Sequence, residues 1–410
     1  MVGPPERLTE RRLRRFPTAP AHARDTLPVY ALIFTAGMVQ SALAPLGPVY
    51  AADLHLTRVQ VGALFAVASV SMVLVAFPIG FVTDRLGARR LTVGAAALVA
   101  LSAFGQGLAH QFWLLLASRA AFGVAFGAVW TAGLAFLSDG APLERRSSRL
   151  GATIPVTGTA SSIGPAFAGI LAGQFGLAVP FLAIAAAAAA IAVALSVSPT
   201  VPAPEREQRL PVARVLRAAR GNRRVLGSVA IMVVAGLSGS LSFLLVPLRL
   251  KADGVSLAAI GTILGASAVL YIAASMAVTR LGPGAARPAA AGVTAAALGL
   301  ALALPALSTA VVALTVFLLA RAACNAAMST IAYPLATAGA EEAGIGTGAA
   351  IGLVNAAWAT STVIAPLAGA AIAQAAGDRA AFAVLVPITL ATGAWLVAVD
   401  RPIRRRRLPA

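Results

Sequence analysis

Gly80-Phe-Val-Thr-Asp84-Arg85-Leu86-Gly87-Ala-Arg89-Arg90 is a short charged stretch set where one long apolar segment ends and the next begins. Its glycines permit a tight turn and a close approach of neighbouring helices. Asp84 can accept hydrogen bonds from a nearby helix N-terminus, where a negative charge is favoured. Arg85, Arg89 and Arg90 can pair with acidic loop residues or with anionic lipid headgroups. The plainer reading is a basic loop between two spans. Glycine and aspartate at these spacings ask for more than that.

Working outward, the 410 residues are 59% hydrophobic and only 11% charged, with a mean hydropathy of +0.87. Soluble domains carry roughly 25% charged residues, so this chain lacks the polar material to cover a water-facing surface. A bilayer core about 30 Å thick takes roughly 20 helical residues. Twelve apolar stretches reach that length: 28–51, 57–81, 91–109, 112–137, 149–173, 178–198, 225–249, 257–279, 288–305, 309–335, 344–373 and 380–399. In lipid the backbone must satisfy itself, so segments this long read as helices rather than strands. The division near Pro305 to Thr309 is the weakest.

The formal charge of +18 is not spread as a nucleic-acid surface would be. Twenty-six of the 32 basic residues fall in the two tails and the even-numbered loops; the odd-numbered loops hold only Arg58, Arg249, Lys251 and Arg379. Positive charge concentrates in cytoplasmic loops, so both termini are expected in the cytoplasm. Arginine outnumbers lysine 31 to 1, the bias of a GC-rich bacterial genome, and the expected location is the bacterial cytoplasmic membrane. The Arg/Pro-rich segment Met1 to Arg24 lacks the short apolar core of a cleaved signal peptide. A single cysteine, Cys324, excludes an intramolecular disulfide, and His22, His55 and His110 fall outside the spans, so no metal site and no cofactor are expected.

Five parts follow: a tail (1–27), a six-helix bundle (28–198), a linker (199–224), a second six-helix bundle (225–399) and a basic tail (400–410). Within the linker, Val212, Val215, Leu216 and Ala219 stand at helical spacing among arginines, which fits either a helix lying on the inner leaflet or a solvated basic segment. The halves echo each other. Leu115-Leu-Ala-Ser-Arg119-Ala-Ala matches Leu318-Leu-Ala-Arg321-Ala-Ala, Gly164-Pro165 matches Ala365-Pro366, and Thr83-Asp84-Arg85-Leu86-Gly87 matches Val278-Thr279-Arg280-Leu281-Gly282. Because six is even, such copies share one membrane orientation.

The loop Gly80 to Arg90 resembles the signature between helices 2 and 3 of the major facilitator superfamily, and the twelve spans, duplicated halves and basic central loop agree with it. The resemblance implies an all-α membrane fold of twelve helices in two pseudo-symmetric bundles. It also implies that Asp84, Arg85 and Arg89 contribute contacts between the halves at the cytoplasmic face. Thr279 stands where the second copy would carry aspartate, so a symmetric gate is not implied.

Arg119-Ala-Ala-Phe-Gly123-Val-Ala-Phe-Gly127 resembles the family's fourth-helix motif. A cation at membrane depth needs a polar cavity or a partner, so Arg119 and Arg321 are either substrate contacts or structural arginines bonded to backbone carbonyls. Gly158-Thr-Ala-Ser-Ser-Ile-Gly164-Pro165-Ala-Phe-Ala168-Gly169 resembles the motif of the antiporter branches, with alanine at 160 and 168 in place of glycine. Its plainer reading is close helix packing with a proline bend.

The family's architecture lines its central path with helices 1, 4, 7 and 10. Candidate cavity residues are therefore Gln40, Arg119, Trp130, Ser238, Arg321, Asn325 and Tyr333, with Asn355 and Trp358 in span 11 less central. The mixture is largely apolar and aromatic with two cations, which suits amphipathic or anionic organic molecules better than sugars. All fourteen acidic residues lie in tails, loops or span ends, so no mid-membrane carboxylate is available as a proton relay. Proton coupling would use Asp84, Asp53 or another unusual site; the alternative is facilitated diffusion. No G-x-x-x-x-G-K-[ST] loop is present, so ATP hydrolysis by that route is excluded.

The expected function is a monomeric, proton-linked exporter of drug-like or metabolite molecules, with anionic headgroups at its cytoplasmic face and no nucleic-acid partner. Uptake or exchange of an organic anion held between Arg119 and Arg321 is the alternative. A membrane-embedded enzyme or a non-transporting sensor stands further off, since no acid or histidine lies inside a span.

Overall fold

The computed structural model describes residues 21–139, 149–150, 152–197, 212–281 and 287–405. Every regular element among them is helical. The first half comprises α1 (Ala21–Asp53), α2 (Arg58–Leu86), α3 (Ala88–Gly107), α4 (Phe112–Ala128) continued by a π-helical turn (Val129–Gly133) into α5 (Leu134–Asp139), α6 (Thr153–Phe175) and α7 (Ala178–Ser196). After α8 (Val212–Gly221) come α9 (Arg223–Ala252), α10 (Leu257–Arg280), α11 (Pro288–Leu307), α12 (Val311–Ala343), α13 (Thr347–Ala376) and α14 (Asp378–Arg405).

Eleven of these helices are long and apolar enough to cross a membrane, counting α4 and its continuation as one. α6 is the twelfth long helix, and threonine, serine and glycine residues interrupt its apolar ones. The uncertain division near Pro305 resolves as a true break: Ser308 ends α11 in extended geometry and α12 starts at Val311. The linker segment does form a helix, α8, whose Ala219 is buried. Asn222 then stops it and caps α9, accepting from the amides of Arg224 and Val225.

Several boundaries follow from local chemistry. Thr57 and Gln60 form a reciprocal capping box that starts α2. Gly87 sits at φ +84°, a conformation that costs glycine little, and joins α2 to α3 with one residue.

Packing repeats across the halves. α1 lies on α6, α2 on α4, and α3 on both α4 and α7; in the second half α9 lies on α13, α10 on α12, and α11 on both α12 and α14. Each half has its own apolar interior: Val99, Phe122 and Ile184 are fully or almost fully buried in the first, as are Leu298, Phe317 and Phe382 in the second. Lipid tails are as apolar as leucine, so helix association here rests on close fit through small residues. On α3 and α7 the buried faces are accordingly alanine-rich, with Ala95, Ala96, Ala185 and Ala188 inside.

Candidate functional site

The two bundles meet along two seams, α2 against α13 and α6 against α10. Glycine makes both possible. A Cβ on Gly62 would stand 2.5 Å from the carbonyl oxygen of Pro366, and a Cβ on Gly261 would stand 2.5 Å from the carbonyl oxygen of Pro165. Polar contacts reinforce the first seam. Arg58 at the start of α2 pairs with Asp378 at the start of α14, and the Val59 amide donates to Gln374 Oε1 at 3.3 Å. These fastenings sit at the end of the molecule that carries the α1–α2 and α13–α14 connections.

Behind the seams lies a cavity of about 450 Å³ between the bundles. α1 contributes Gly37, Gln40, Ser41 and Ala44, a single helical face, and α4 with its π-helical turn contributes Phe126 and Trp130. From the second bundle come Gly239 and Phe243 of α9, Tyr271 of α10, and Trp358 of α13. α12 presents Arg321, Asn325 and Ser329, four residues apart along one face. Among the described lining residues Arg321 is the one charged group, and none is acidic. Apolar walls with a few convergent polar groups are the usual make-up of a small-molecule site.

Of the candidates from sequence, Gln40, Trp130, Arg321, Asn325 and Trp358 line this cavity, while Arg119, Ser238, Tyr333 and Asn355 do not. Arg119 is fully buried one layer behind it. Its Nε donates to the Leu64 carbonyl oxygen at 3.2 Å, Nη2 reaches Gln40 Oε1 at 3.5 Å, and its guanidinium lies 5.2 Å from the Phe122 ring centroid. In this arrangement Gln40 stands between Arg119 and the cavity. Ser238 is buried under Asn325, donating to its Oδ1 at 3.4 Å. Tyr333 donates to Asn355 Oδ1 at 2.9 Å, tying α12 to α13 away from the cavity wall.

The motif glycines pack helices. A Cβ on Gly123 would fall 2.1 Å from the Ala68 carbonyl oxygen, and one on Gly127 would stand 3.2 Å from Val75, so both bring α4 against α2. Gly164 faces Ser41 and Met38 of α1, whereas Gly169, the Pro165 carbonyl and, more loosely, Gly158 face α10. The antiporter-like stretch is thus packed on both sides, and its Gly158 and Ser161 also line the cavity.

In the signature loop, Gly80 and Asp84 lie in α2, but their side chains fall outside the described set. Arg85 and Arg90 are exposed. Arg89 donates from Nε to the Leu195 carbonyl oxygen at 3.3 Å and from Nη2 to that of Ser196, completing free carbonyls at the end of α7 inside its own bundle. Gly282, its counterpart region in the second half, lies outside the described residues.

Sequence reasoning missed Phe126, Gly239, Phe243, Tyr271 and Ser329. Helical spacing from Trp130 and from Arg321 would have found Phe126 and Ser329. Tyr271 is an aromatic within an apolar span, the signal that marks Trp130, and Gly239 with Phe243 follows from the offset of 199 residues that relates it to Gln40.

Two pseudo-symmetric bundles around an apolar cavity with few polar groups define a polytopic α-helical membrane fold. A family model for the Major Facilitator Superfamily matches residues 29–350, and the chain belongs to that family. This makes it a multi-pass transporter-family protein rather than an enzyme. Similar proteins include a hexuronate transporter of Bacillus subtilis (29% identical over 166 residues), a quinolone resistance protein NorA of Staphylococcus aureus (26% over 144) and a multidrug resistance protein 2 of Bacillus subtilis (27% over 154). The matches take in 40%, 35% and 38% of this chain and span 39%, 37% and 38% of those relatives. Among solved structures, a bacterial homolog of the human lysosomal transporter Spinster, in an inward-facing and unoccupied conformation, superposes with a TM-score of 0.77. It covers 96% of this chain and 99% of its own at 13% identity, which speaks for the fold.

Proposed function

We propose that this protein is a secondary active transporter that exports amphipathic drug-like or metabolite molecules from a bacterial cytoplasm by alternating access. The observation that carries the reading is the cavity between the bundles, fastened at one end by the two glycine seams and the Arg58–Asp378 pair. Charge bias puts the termini in the cytoplasm, which makes the fastened end extracellular and the cavity a site loaded from inside. Rocking of one bundle against the other would open the fastened end and release solute outside. Export is supported by the antiporter-like stretch of α6 and by the two drug-resistance relatives.

Asp84, Arg85 and Arg89 are proposed to join the bundles at the cytoplasmic face in the alternate state. For proton coupling, the cavity offers no carboxylate, and Asp378 is the described acid that bridges the bundles.

Flux in energised everted membrane vesicles tests the proposal, using a panel of amphipathic aromatic acids and dyes. The expected result is accumulation above protein-free control membranes, abolished by a protonophore. Accumulation confined to right-side-out vesicles would reverse the direction to uptake, and no accumulation in either would sink the transport reading.

A further inference from the structure

Arg119 and Arg321 occupy equivalent places in the two bundles, yet their surroundings differ, and one difference opens the second of them to the cavity. Gln40 and Gly239 are equivalents: the same offset of 199 residues relates Gly37 to Gly236 and Gly62 to Gly261, and those pairs make matching contacts with α6 or α13. In the first bundle Gln40 reaches over Arg119 and accepts from it. In the second, a Cβ on Gly239 would stand 3.6 Å from Arg321 Nη1 and 3.6 Å from Asn325 Nδ2, so glycine leaves the guanidinium uncovered toward the cavity.

The consequence is a buried cation without an acceptor. Arg321 is 5% exposed, and its Nε has no hydrogen-bond partner, whereas the Nε of Arg119 is held by Leu64. The Phe243 ring lies 5.3 Å from the Arg321 guanidinium carbon and holds it by its face. A cation kept at membrane depth without a partner is costly; Arg119 has the Leu64 carbonyl and Gln40 Oε1 as acceptors, with its Nη1 alone left over, whereas no described group accepts from Arg321.

Resting on the transport reading above, we infer that Arg321 is the anion-binding residue of the cavity and that the substrate is an organic monoanion. It carries a carboxylate on a flat apolar body. One guanidinium, with no second cation beside it, balances one negative charge, and its fork matches the two oxygens of a carboxylate. Trp130, Phe126, Phe243 and Trp358 supply the aromatic walls for the remainder. Gly239 is then a specificity residue, since its missing side chain is what opens the guanidinium to the ligand.

The test uses purified full-length protein in lipid nanodiscs and isothermal titration with two probes of one shape, 2-naphthoate and the neutral 2-naphthamide. Wild type is expected to bind naphthoate at least tenfold tighter than the amide. Arg321→Gln should bring the two affinities within twofold while amide binding is kept, and Arg321→Lys should retain part of the preference. Gly239→Gln should likewise remove the preference with Arg321 still present, which covers the case in which the arginine variants fail to fold. Equal affinities in wild type, a preference that survives both Arg321→Gln and Gly239→Gln, or no binding of either probe would each overturn the inference. If both probes bind equally and vesicles move both, the anion assignment falls and transport stands; if naphthoate is preferred but never moved, the assignment stands and transport falls.

Discussion

The α2–α13 seam and the α6–α10 seam are built on one contact and finished in two ways. In each, a glycine meets the carbonyl oxygen of a proline from the facing bundle, Gly62 with Pro366 and Gly261 with Pro165. One turn further on, the first seam has Ala370, whose Cβ lies 2.7 Å from the Cβ position of Gly62, where the second has Gly169, whose Cα lies 3.2 Å from that of Gly261. The first seam also carries the Arg58–Asp378 pair and the Gln374 contact. A duplicated chain has therefore kept the steric core of both junctions while placing an ion pair at one. Glycine against glycine presents smooth backbone surfaces that can pivot, whereas an ion pair is a fastening that a substitution can release.

The difference can be broken or sharpened by substitution. Gly261→Leu should have the largest effect, because its side chain would meet backbone that cannot yield. Overpacking of this kind costs on the order of 3 kcal/mol, enough to shift the closed-to-open equilibrium of the seam toward open by about a hundredfold. The expected result is loss of flux together with labelling of a cavity cysteine, Ser240→Cys in a Cys324→Ser background, by an impermeant maleimide applied to intact cells. Gly62→Leu should act the same way; a normal closed end in either variant would separate the two seams in kind.

Asp378→Asn should have an intermediate effect, confined to the first seam. Arg58 keeps 41% of its side chain exposed and Asp378 8%, so the pair is worth about 1 kcal/mol. Maleimide labelling from outside should rise about fivefold; unchanged labelling would show that the pair does not fasten this end. The smallest effect is expected from Glu342→Gln. This breaks contacts with Arg224 and Asn222 inside the second bundle, so labelling should change by less than about twofold, as for an exposed ion pair.

Much of the fold was legible because a bilayer imposes a coarse rule. Helices need about 20 apolar residues and basic loops mark one side, so the span pattern and the duplication could be read from composition and spacing alone. α6 shows where the rule thins: Thr157, Ser161, Ser162 and four glycines interrupt its apolar residues, yet it packs on both α1 and α10. The candidate site was legible only in part. Trp130, Arg321, Asn325, Trp358 and Gln40 were found because polar or aromatic residues stand out within apolar spans.

What separated Arg119 from Arg321 could not be read that way. Both sit in nearly identical strings, Arg119-Ala-Ala and Arg321-Ala-Ala, and local sequence assigns them the same role. Their fates depend on Gln40 and Gly239, residues of another helix some eighty positions away that only helix packing brings alongside. The amino-acid sequence by itself determined that this chain is a duplicated bundle of membrane helices, because hydropathy and charge act locally along the chain. Tertiary structure alone decided which cation is sealed and which faces the cavity, because a buried charge takes its role from the acceptors that distant helices set beside it.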